Sequence, residues 1–255
     1  MPTACNNCAS PLSGEYCSQC GQKSTQEEYD LKQLLVDTRF QIFPRASFVR
    51  NLVALLFRPG HLTWLFSQGS RIQVMNPIRL YLATVALCFV LDAWLTPLGE
   101  LSSEMRSNFP NVPAATVDAC VQYGWQAAKL TSYITHMAMG GAYALAIRRI
   151  ARAYHPPKVW PWVFSIHLMA LVPLFEFVFS VIVDNLLIVE GLAGTIGCIY
   201  TFLAFRKSLS LRWSEAGYLA ATGALVLIPL LFLGFLVRAI ALTVALLPLL
   251  ILEIT

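Results

Sequence analysis

The sequence predicts an all-α polytopic membrane protein, and three observations support this fold class. Of its 255 residues, 57% are hydrophobic and only 13% are charged, whereas a soluble domain is about 45–50% apolar and about 25% charged. The mean hydropathy is +0.62. The apolar residues also gather into stretches of about 20 residues, the length of a helix that crosses a bilayer. This composition excludes an ordinary cytosolic enzyme.

The first 30 residues differ from the rest, because they are polar and hold four of the seven cysteines. These form two Cys-x2-Cys pairs separated by eight residues: Cys5, Cys8, Cys17 and Cys20. Two such pairs can supply the four thiolates of a structural zinc ion, with the residues between them forming a small hairpin. Two disulfides are the alternative, which the reducing cytoplasm disfavours. We therefore expect a small four-cysteine zinc ribbon with Zn²⁺ in a structural role.

A glycine after each cysteine pair would permit the backbone turn that directs amides toward the sulfur atoms. Gly21 meets this requirement after the second pair, and Ala9 departs from it after the first. A head of this size has almost no hydrophobic core, so we expect metal binding to supply most of its folding free energy.

The segment between the head and the first span contains an apolar stripe. Phe48, Leu52 and Leu56 recur every four residues, which is typical of an amphipathic helix lying in the membrane interface. Asn51 falls elsewhere on the helical wheel, and Pro59-Gly60 ends the helix. A second short interfacial turn is expected directly after it.

Five arginines near this segment are candidate contacts for anionic lipid headgroups: Arg45, Arg50, Arg58, Arg71 and Arg79. A cation near the membrane surface attracts anionic lipid by about 1 kcal/mol. The alternative is that they are ordinary topogenic charges that set the orientation of the chain.

The remainder of the chain is predicted to be a helix bundle that begins after Asn76-Pro77, which suit the N-cap and first positions of a helix. The predicted spans are 78–97, 128–150, 160–183, 186–205 and 217–237, and a long outer loop is expected at 98–127. The chain thus divides into the ribbon at 1–22, a linker with interfacial helices at 23–77, and the transmembrane bundle at 78–255.

The apolar stretch at 217–252 is interrupted only by Arg238. As one helix it would be about 54 Å long, longer than the bilayer core of about 30 Å. Five spans with an apolar tail along the outer interface are favoured, and six spans with a turn at Arg238 are the alternative.

The charge distribution predicts that the head is cytoplasmic. Basic residues concentrate before the first span and in the turns at 148–158 and 206–212, whereas the loop at 98–127 has Arg106 as its one base. This is the positive-inside pattern. The net charge of +4 is then a consequence of topology, and no nucleic-acid partner is expected. The N-terminus has no pattern of a cleavable signal peptide.

Four ionisable residues lie in four different predicted spans, each about 6–12 Å below the outer surface by the helical rise: Asp92, His136, Glu176 and Glu190. Such residues are rare inside membranes and are functional candidates by default. If they converge, they form an outward-facing polar site that could bind a cation or relay protons. Alternatively they snorkel or pair as buried structural contacts. His167 lies alone in the inner half, where a packing hydrogen bond involving Ser165 is expected.

A run of motifs before the first span has the form Arg-Pro-Gly, Gly-x-Arg and Asn-Pro. It consists of Arg58-Pro59-Gly60, Gly69-Ser70-Arg71 and Asn76-Pro77. With the cysteine pairs, these motifs resemble an uncharacterised family of bacterial membrane proteins, domain of unknown function 3667, over most of residues 1–210. The resemblance implies a bacterial cytoplasmic membrane and a zinc-ribbon head, but no substrate. Ser70 stands where the family usually has a basic residue, which weakens a strict phosphate-binding role for that loop.

The functional expectation is a non-enzymatic integral membrane adaptor or assembly factor whose head docks a cytoplasmic protein. Lys23 is the one base in the first 30 residues, which favours a protein partner over nucleic acid. No nucleotide-binding, hydrolase or metalloprotease motif occurs in the sequence. A small transporter or channel, and an enzyme acting on a lipid-linked substrate, are the alternatives; both would use the outer polar site. Small-residue ridges in the last two spans permit close packing, either within the bundle or in a homo-oligomer.

Overall fold

The computed structural model describes residues 3–24, 31–40, 47–95, 98–182 and 186–254. Within these ranges the chain is predominantly helical, and the side chains of some helical positions, among them Glu190 and Arg238, lie outside the described set. The helices are α1 (Leu31–Phe40), α2 (Phe48–Phe57), α3 (His61–Ser67), α4 (Pro77–Leu95), α5 (Gly99–Asn108), α6 (Ala114–Ile150), α7 (Trp160–Ile182), α8 (Leu186–Ser208) and α9 (Trp213–Ile254).

Three helices lie over predicted spans with closely similar bounds: α4 over the first, α7 over the third and α8 over the fourth. The start of α4 has the local geometry that its sequence indicates. The Asn76 side-chain oxygen accepts a hydrogen bond from the Ile78 N–H at 2.9 Å, and Pro77 occupies the first helical position, where its missing N–H has no cost.

Helix α6 is longer than the predicted second span, because it begins at Ala114 rather than near residue 128. The predicted outer loop was wrong to that extent, and it also contains α5. The physical reason is tertiary packing: Val117 and Val121 are buried against α5 and the far end of α9, where Leu249 joins the same apolar cluster. Residues 114–127, whose mixture of polar and apolar side chains predicted a loop, therefore belong to the helix.

Helix α9 is continuous from Trp213 to Ile254 and passes position 238 without a break. With 42 residues, it is about 63 Å long. Two antiparallel spans would require a turn near that position, so the six-helix alternative does not fit this region. α9 packs along α6 over much of its length: a Cβ placed on Gly124 of α6 would lie 3.3 Å from the Ala245 side chain.

Two of the described helices are long and apolar enough to cross a membrane, at Trp160–Phe179 and Trp213–Leu249. Their surroundings differ. The first is 72% buried inside the structure and the second only 12%. α7 is accordingly the central helix, in contact with α3, α4, α6 and α8, whereas α9 lies at the periphery.

An aromatic stack joins α7 to α8. Trp160 and Phe164 have ring centroids 5.1 Å apart, and Phe164 and Phe205 are 4.6 Å apart. All three side chains are almost completely buried. Aromatic pairs at these separations stabilise beyond their buried area, so this stack fixes the end of the bundle at which α7 begins.

The face of α2 that packs on the protein is centred on Asn51 and Leu55, which are 1% exposed. Phe48 and Leu56 of the predicted apolar stripe are partly buried against the same core. Asn51 is buried because its amide satisfies two backbone groups: its Oδ1 accepts from Met75 N–H at 3.1 Å and its Nδ2 donates to the Ser47 carbonyl at 2.9 Å. The opposite face of α2 exposes Val49, Val53 and Phe57.

Gly60 brings α3 against the backbone of α8. Its φ of +73° lies in the left-handed region, which a side chain disfavours. A Cβ at this position would also lie 2.5 Å from the Ala204 carbonyl oxygen. The turn after α2 therefore depends on glycine for two independent reasons.

Candidate functional site

The four N-terminal cysteines lie close enough together to hold a metal ion. Their Sγ atoms are all within 4.8 Å of one another, with 3.6 Å between Cys5 and Cys20 and 3.5 Å between Cys8 and Cys17. Four thiolates at the zinc–sulfur distance of about 2.3 Å would be separated by about 3.8 Å, whereas disulfide sulfurs are about 2.05 Å apart. The sulfur atoms are therefore too far apart for disulfide bonds and close enough together to hold one metal ion.

The two cysteine pairs are halves of one repeat, offset by 12 residues. In each half, the first cysteine N–H donates to the carbonyl five residues later, and the residue after the second cysteine donates to the carbonyl of the first. These bonds are Cys5–Ser10 and Ala9–Cys5, then Cys17–Gln22 and Gly21–Cys17, all at 2.8 Å. The repeat can be read from the cysteine spacing alone.

The two halves differ in strain at one position. Ala9 has φ +59° and the equivalent Gly21 has φ +71°, so both adopt the left-handed conformation. That conformation costs an L-residue with a side chain about 1–2 kcal/mol. Ala9 therefore carries backbone strain, at the position where the sequence departs from the expected glycine.

Local contacts affect the cysteine sulfurs unequally. Ser10 hydrogen bonds lower the pKa of Cys8 to about 6, with the Ser10 hydroxyl 3.3 Å from its Sγ, which favours the thiolate, the metal-binding form of cysteine. Burial raises the pKa of Cys20 to about 11. The Asn7 N–H donates to Cys5 Sγ at 3.5 Å.

One side of the head forms hydrogen bonds with residues 68–73, here called the docking loop, which belong to the connection between α3 and α4. Gln22, 8% exposed, bridges the two. Its Nε2 donates to the Gly69 carbonyl at 2.7 Å, and its Oε1 accepts from Arg71 N–H at 2.9 Å. Because both ends of the amide are used, the head has a defined orientation on the loop.

Asn7, which lies between the first two cysteines, provides a second attachment. Its Oδ1 accepts from the Ser70 hydroxyl at 2.7 Å and from Gln73 N–H at 3.2 Å. The Gln73 side chain donates back to the Asn7 carbonyl at 3.2 Å. Ser70 is buried by this contact, so the loop position that departs from the family pattern is occupied by the head.

Two of the five arginines predicted to contact headgroups also contact the docking loop or the helix before it. Arg50 Nη2 donates to the Gln73 carbonyl at 3.1 Å. Arg71 lies 3.9 Å from the centre of the Phe66 ring and donates to the Phe66 carbonyl. Of the others, Arg58 is exposed, Arg79 is half-buried on α4, and Arg45 lies outside the described residues.

Within the bundle, Asp92 forms an ion pair that the sequence had not indicated. Its Oδ1 is 3.2 Å from the ammonium group of Lys129, and the two side chains are only 4% and 7% exposed. Trp125 Nε1 donates to the other carboxylate oxygen at 3.0 Å. Lys129 was not among the predicted site residues, although it lies seven residues before His136 and therefore on the same helix face.

His136 and Glu176 form a second buried pair. Their Nε2 and Oε1 atoms are 3.4 Å apart, with side chains 4% and 3% exposed. Helix α9 covers this pair, since a Cβ on Gly234 would lie 3.9 Å from His136 Nε2. The pair therefore lies between α6, α7 and α9.

The two pairs are neighbours rather than one site. Cys88, fully buried on α4, lies close enough to Asp92, Lys129 and Glu176 to be affected by their charges. Of the four predicted residues, the structure brings His136 and Glu176 into contact and gives Asp92 a different partner. The Glu190 side chain lies outside the described residues. Opposite charges paired in this way reduce the cost of burial and connect α4, α6 and α7.

His167 has a different partner from the expected one. Its Nδ1 lies 2.9 Å from the Thr63 hydroxyl, so the contact joins α7 to α3. Ser165 takes no part in this hydrogen bond. Both His167 and Thr63 are almost completely buried, which places this contact in the core beneath the docking loop.

Comparison with known proteins gives one result. Residues 46–89 match the family model described as Protein of unknown function (DUF3667). The match supports membership of the chain in that family. It spans α2, α3, the docking loop and the first part of α4. No curated protein matches the chain, and no solved structure does.

The segment that matches DUF3667 is the part of the bundle that holds the head. It contains Gly60, where α3 meets α8, and both loop residues that bind Gln22. Asn76 adds a link to α1, because its Nδ2 donates to the Leu34 carbonyl at 3.1 Å while its Oδ1 caps α4. The family motif therefore coincides with a structural junction.

Proposed function

We propose that the protein is a non-enzymatic integral membrane adaptor whose metal-binding head recruits a cytoplasmic protein. The observation that carries this proposal is the fixed orientation of the head. Asn7 and Gln22 hold one side on the docking loop, while Tyr16 on the remaining surface is 60% exposed. Tyrosine is enriched in protein interfaces, so an oriented, exposed tyrosine suits a docking surface.

Membrane embedding is supported by the exposed face of α9. Its large apolar side chains recur every three or four residues and are about half exposed or more: Leu225, Ile228, Phe232, Leu236, Ile240, Val244, Leu247 and Ile251. A continuous apolar stripe of this length is unfavourable in water. Lipid chains are the environment that suits it, and the proposal has five helices crossing the bilayer, α4 and α6 to α9.

The proposed orientation puts the head in the cytoplasm. Lys207 at the end of α8 lies 5.8 Å from the Trp64 ring of α3, so the basic ends of the long helices and the docking loop are at one end of the bundle. The positive-inside rule assigns such an end to the cytoplasm. With the family resemblance, this favours the inner membrane of a bacterium.

Zinc is the proposed occupant of the cysteine set. Four thiolates without an oxygen or open position are typical of a structural zinc site. Metal would connect two half-ribbons that have almost no apolar core, and its binding free energy would then be folding free energy. A folded ribbon is required to present Asn7 and Gln22 to the docking loop.

The buried charge pairs support an architectural role. The Asp92 carboxylate lies 3.2 Å from the Lys129 ammonium group on another helix, so these two charges compensate each other inside the bundle, and Glu176 lies 3.4 Å from His136 of another helix. A proton-coupled transporter remains the second candidate, favoured by the enclosed His136–Glu176 pair, because histidine and carboxylate pairs also relay protons.

The adaptor proposal is tested by crosslinking in cells followed by affinity purification in detergent. Cys17→Ser removes a metal ligand, and Tyr16→Ala changes the exposed surface while leaving the ligands. Tyr123→Ala is the matched control, since Tyr123 is also exposed but lies near the start of α6, away from the basic end of that helix. We expect the first two variants to lose a protein that wild type and the control retain. Identical co-purified proteins in all four samples would contradict the proposal.

A further inference from the structure

A cleft opens where α6 ends and α7 begins, at the end of the bundle that carries the basic turns. It has a volume of about 860 Å³, within the range of about 300–1,000 Å³ that ligand sites occupy. Five basic side chains line it: Arg148, Arg149, Arg152, His155 and Lys158. We call it the basic cleft. Nothing in the proposed adaptor function uses these residues.

The positive charge of the basic cleft has no acidic counterpart in its own segment. The sequence contains no Asp or Glu between Asp118 and Glu176. In the described part of the chain, the ion pairs join other residues, and none includes Arg148, Arg149 or Arg152. Three exposed guanidinium groups in one concave surface thus offer several planar donor forks, the geometry that suits phosphate oxygens.

The rest of the lining of the basic cleft is apolar. It consists of Ala142, Leu145 and Ala146 of α6, Pro156 and Pro157 of the turn, and Pro161 of α7, and Leu145 is 54% exposed. Charge and apolar surface are therefore adjacent along α6, one turn apart. A phospholipid would match this arrangement, because its anionic phosphate lies next to apolar acyl chains.

The backbone holds this arrangement firmly. A short 3-10 helix, Ala151–Tyr154, follows α6 directly, and His155 after it has φ +48°. Two prolines then lead into α7, whose positive dipole end faces the turn. The cationic groups are thus placed by rigid elements and not by a long loop, as a preformed site requires.

We propose that the basic cleft binds the phosphate of an anionic glycerophospholipid, with an acyl chain against Leu145. Basic pockets between membrane helices on the cytoplasmic side are suited to such headgroups. The proposal rests on the membrane orientation given above and not on the adaptor role. It assigns to Arg148, Arg149 and Arg152 a role that the sequence had predicted for five other arginines.

The test is lipid retention by the full chain. Wild-type protein is reconstituted in nanodiscs of phosphatidylcholine with a minor fraction of phosphatidylglycerol, extracted in detergent, and analysed by native mass spectrometry. The test variant is Arg148→Ala/Arg149→Ala/Arg152→Ala. The control variant, Lys23→Ala/Lys32→Ala/Arg212→Ala, removes three other exposed cations that are not among the predicted headgroup contacts. Arg149→Glu is a milder second test variant if the triple variant fails to fold.

We expect wild type and the control to retain phosphatidylglycerol in preference to phosphatidylcholine. The triple variant should lose about tenfold or more in that preference, as the summed attraction of three cations predicts, and Arg149→Glu should lose part of it. Equal retention by the folded variants and the control, or no preference in wild type, would overturn the proposal.

A second arm separates lipid phosphate from free phosphate. Delipidated protein in detergent is titrated with inorganic phosphate and the heat of binding is measured. We expect no saturable binding, because the acyl chain supplies part of the affinity. Saturable phosphate binding that the triple variant abolishes, without phosphatidylglycerol retention, would overturn the lipid assignment. Partner recruitment through Tyr16 is measured separately, so failure of one proposal is distinguishable from failure of the other.

Discussion

At the scale of single residues, the repeat in the metal head gives Ala9 and Gly21 the same backbone conformation. Ala9→Gly should relieve strain of about 1 kcal/mol and so tighten zinc binding about fivefold. Gly21→Ala should weaken it by a similar factor, because it introduces the same strain in the other half. Competition with a chromogenic chelator on the purified protein measures both. Shifts of equal sign in the two variants would contradict the equivalence of the halves.

The Asp92–Lys129 pair gives a second prediction at this scale. Lys129→Met leaves a buried carboxylate without its cation, which should cost about 3–5 kcal/mol of unfolding free energy. Asp92→Asn/Lys129→Met should recover most of that loss, because Asn keeps an oxygen for the Trp125 N–H and no charge is left. Unfolding of detergent-solubilised protein measures both variants. A double variant no more stable than Lys129→Met would show that the pair is not coupled as described.

The cysteine set could be predicted from the sequence because two closely spaced Cys-x2-Cys pairs are typical of a four-cysteine metal site and of few other structures. The attachment of the head could not. Asn7 and Gln22 are ordinary polar residues in sequence, and only the approach of the docking loop gives them partners. Lys129 was not predicted as a site residue either; it lies just inside the predicted second span, and α6 continues well beyond the predicted start of that span.

At the scale of elements, the long apolar helices follow from hydropathy, and their ends follow from Asn76-Pro77 and the basic turns. The extension of α6 does not. Residues 114–127 mix polar and apolar side chains, and they are helical because Val117 and Val121 pack on α5 and α9. An Arg106–Asp118 ion pair, with Nε and Oδ1 2.9 Å apart, adds a further link. Such long-range contacts are not visible in a local window of sequence.

The junction of α3 with α8 gives a prediction for this scale. Gly60→Ala should lower the unfolding free energy by at least about 2 kcal/mol, since it adds left-handed strain and a clash with the Ala204 carbonyl. Gly141→Ala in α6 is the matched control, because a Cβ there meets nothing within 4 Å, and alanine in a helix should stabilise by about 0.5–1 kcal/mol. Thermal unfolding of both variants is the measurement. Equal effects of the two substitutions would contradict the close approach of α3 and α8.

At the scale of the whole molecule, topology can be tested by cysteine labelling in intact bacterial cells. In a Cys120→Ser background, Ser107→Cys on α5 should react with a membrane-impermeant maleimide. Ala153→Cys, between α6 and α7, should react only after permeabilisation. Both positions are exposed, so access to the reagent is decided by the side of the membrane. The reverse labelling pattern would place the head outside the cytoplasm and contradict the proposed orientation.

The described part of the molecule is a helix bundle with buried polar pairs, an exposed apolar face on α9, and a four-cysteine head held on the segment that matches DUF3667. Its proposed role depends on what binds the free side of that head. In this proposal the metal would fold the ribbon, Gln22 and Asn7 orient it, and the bundle would hold it at the membrane.

The most direct measurement is site-specific photocrosslinking in intact membranes, with a photoreactive amino acid in place of Tyr16. We expect a discrete protein adduct from this position. We also expect that the adduct is lost when Cys17→Ser is added to the same variant, and that none forms when the photoreactive residue replaces Tyr123. Absence of a protein adduct at Tyr16, or an adduct that survives Cys17→Ser unchanged, would contradict recruitment through the metal head.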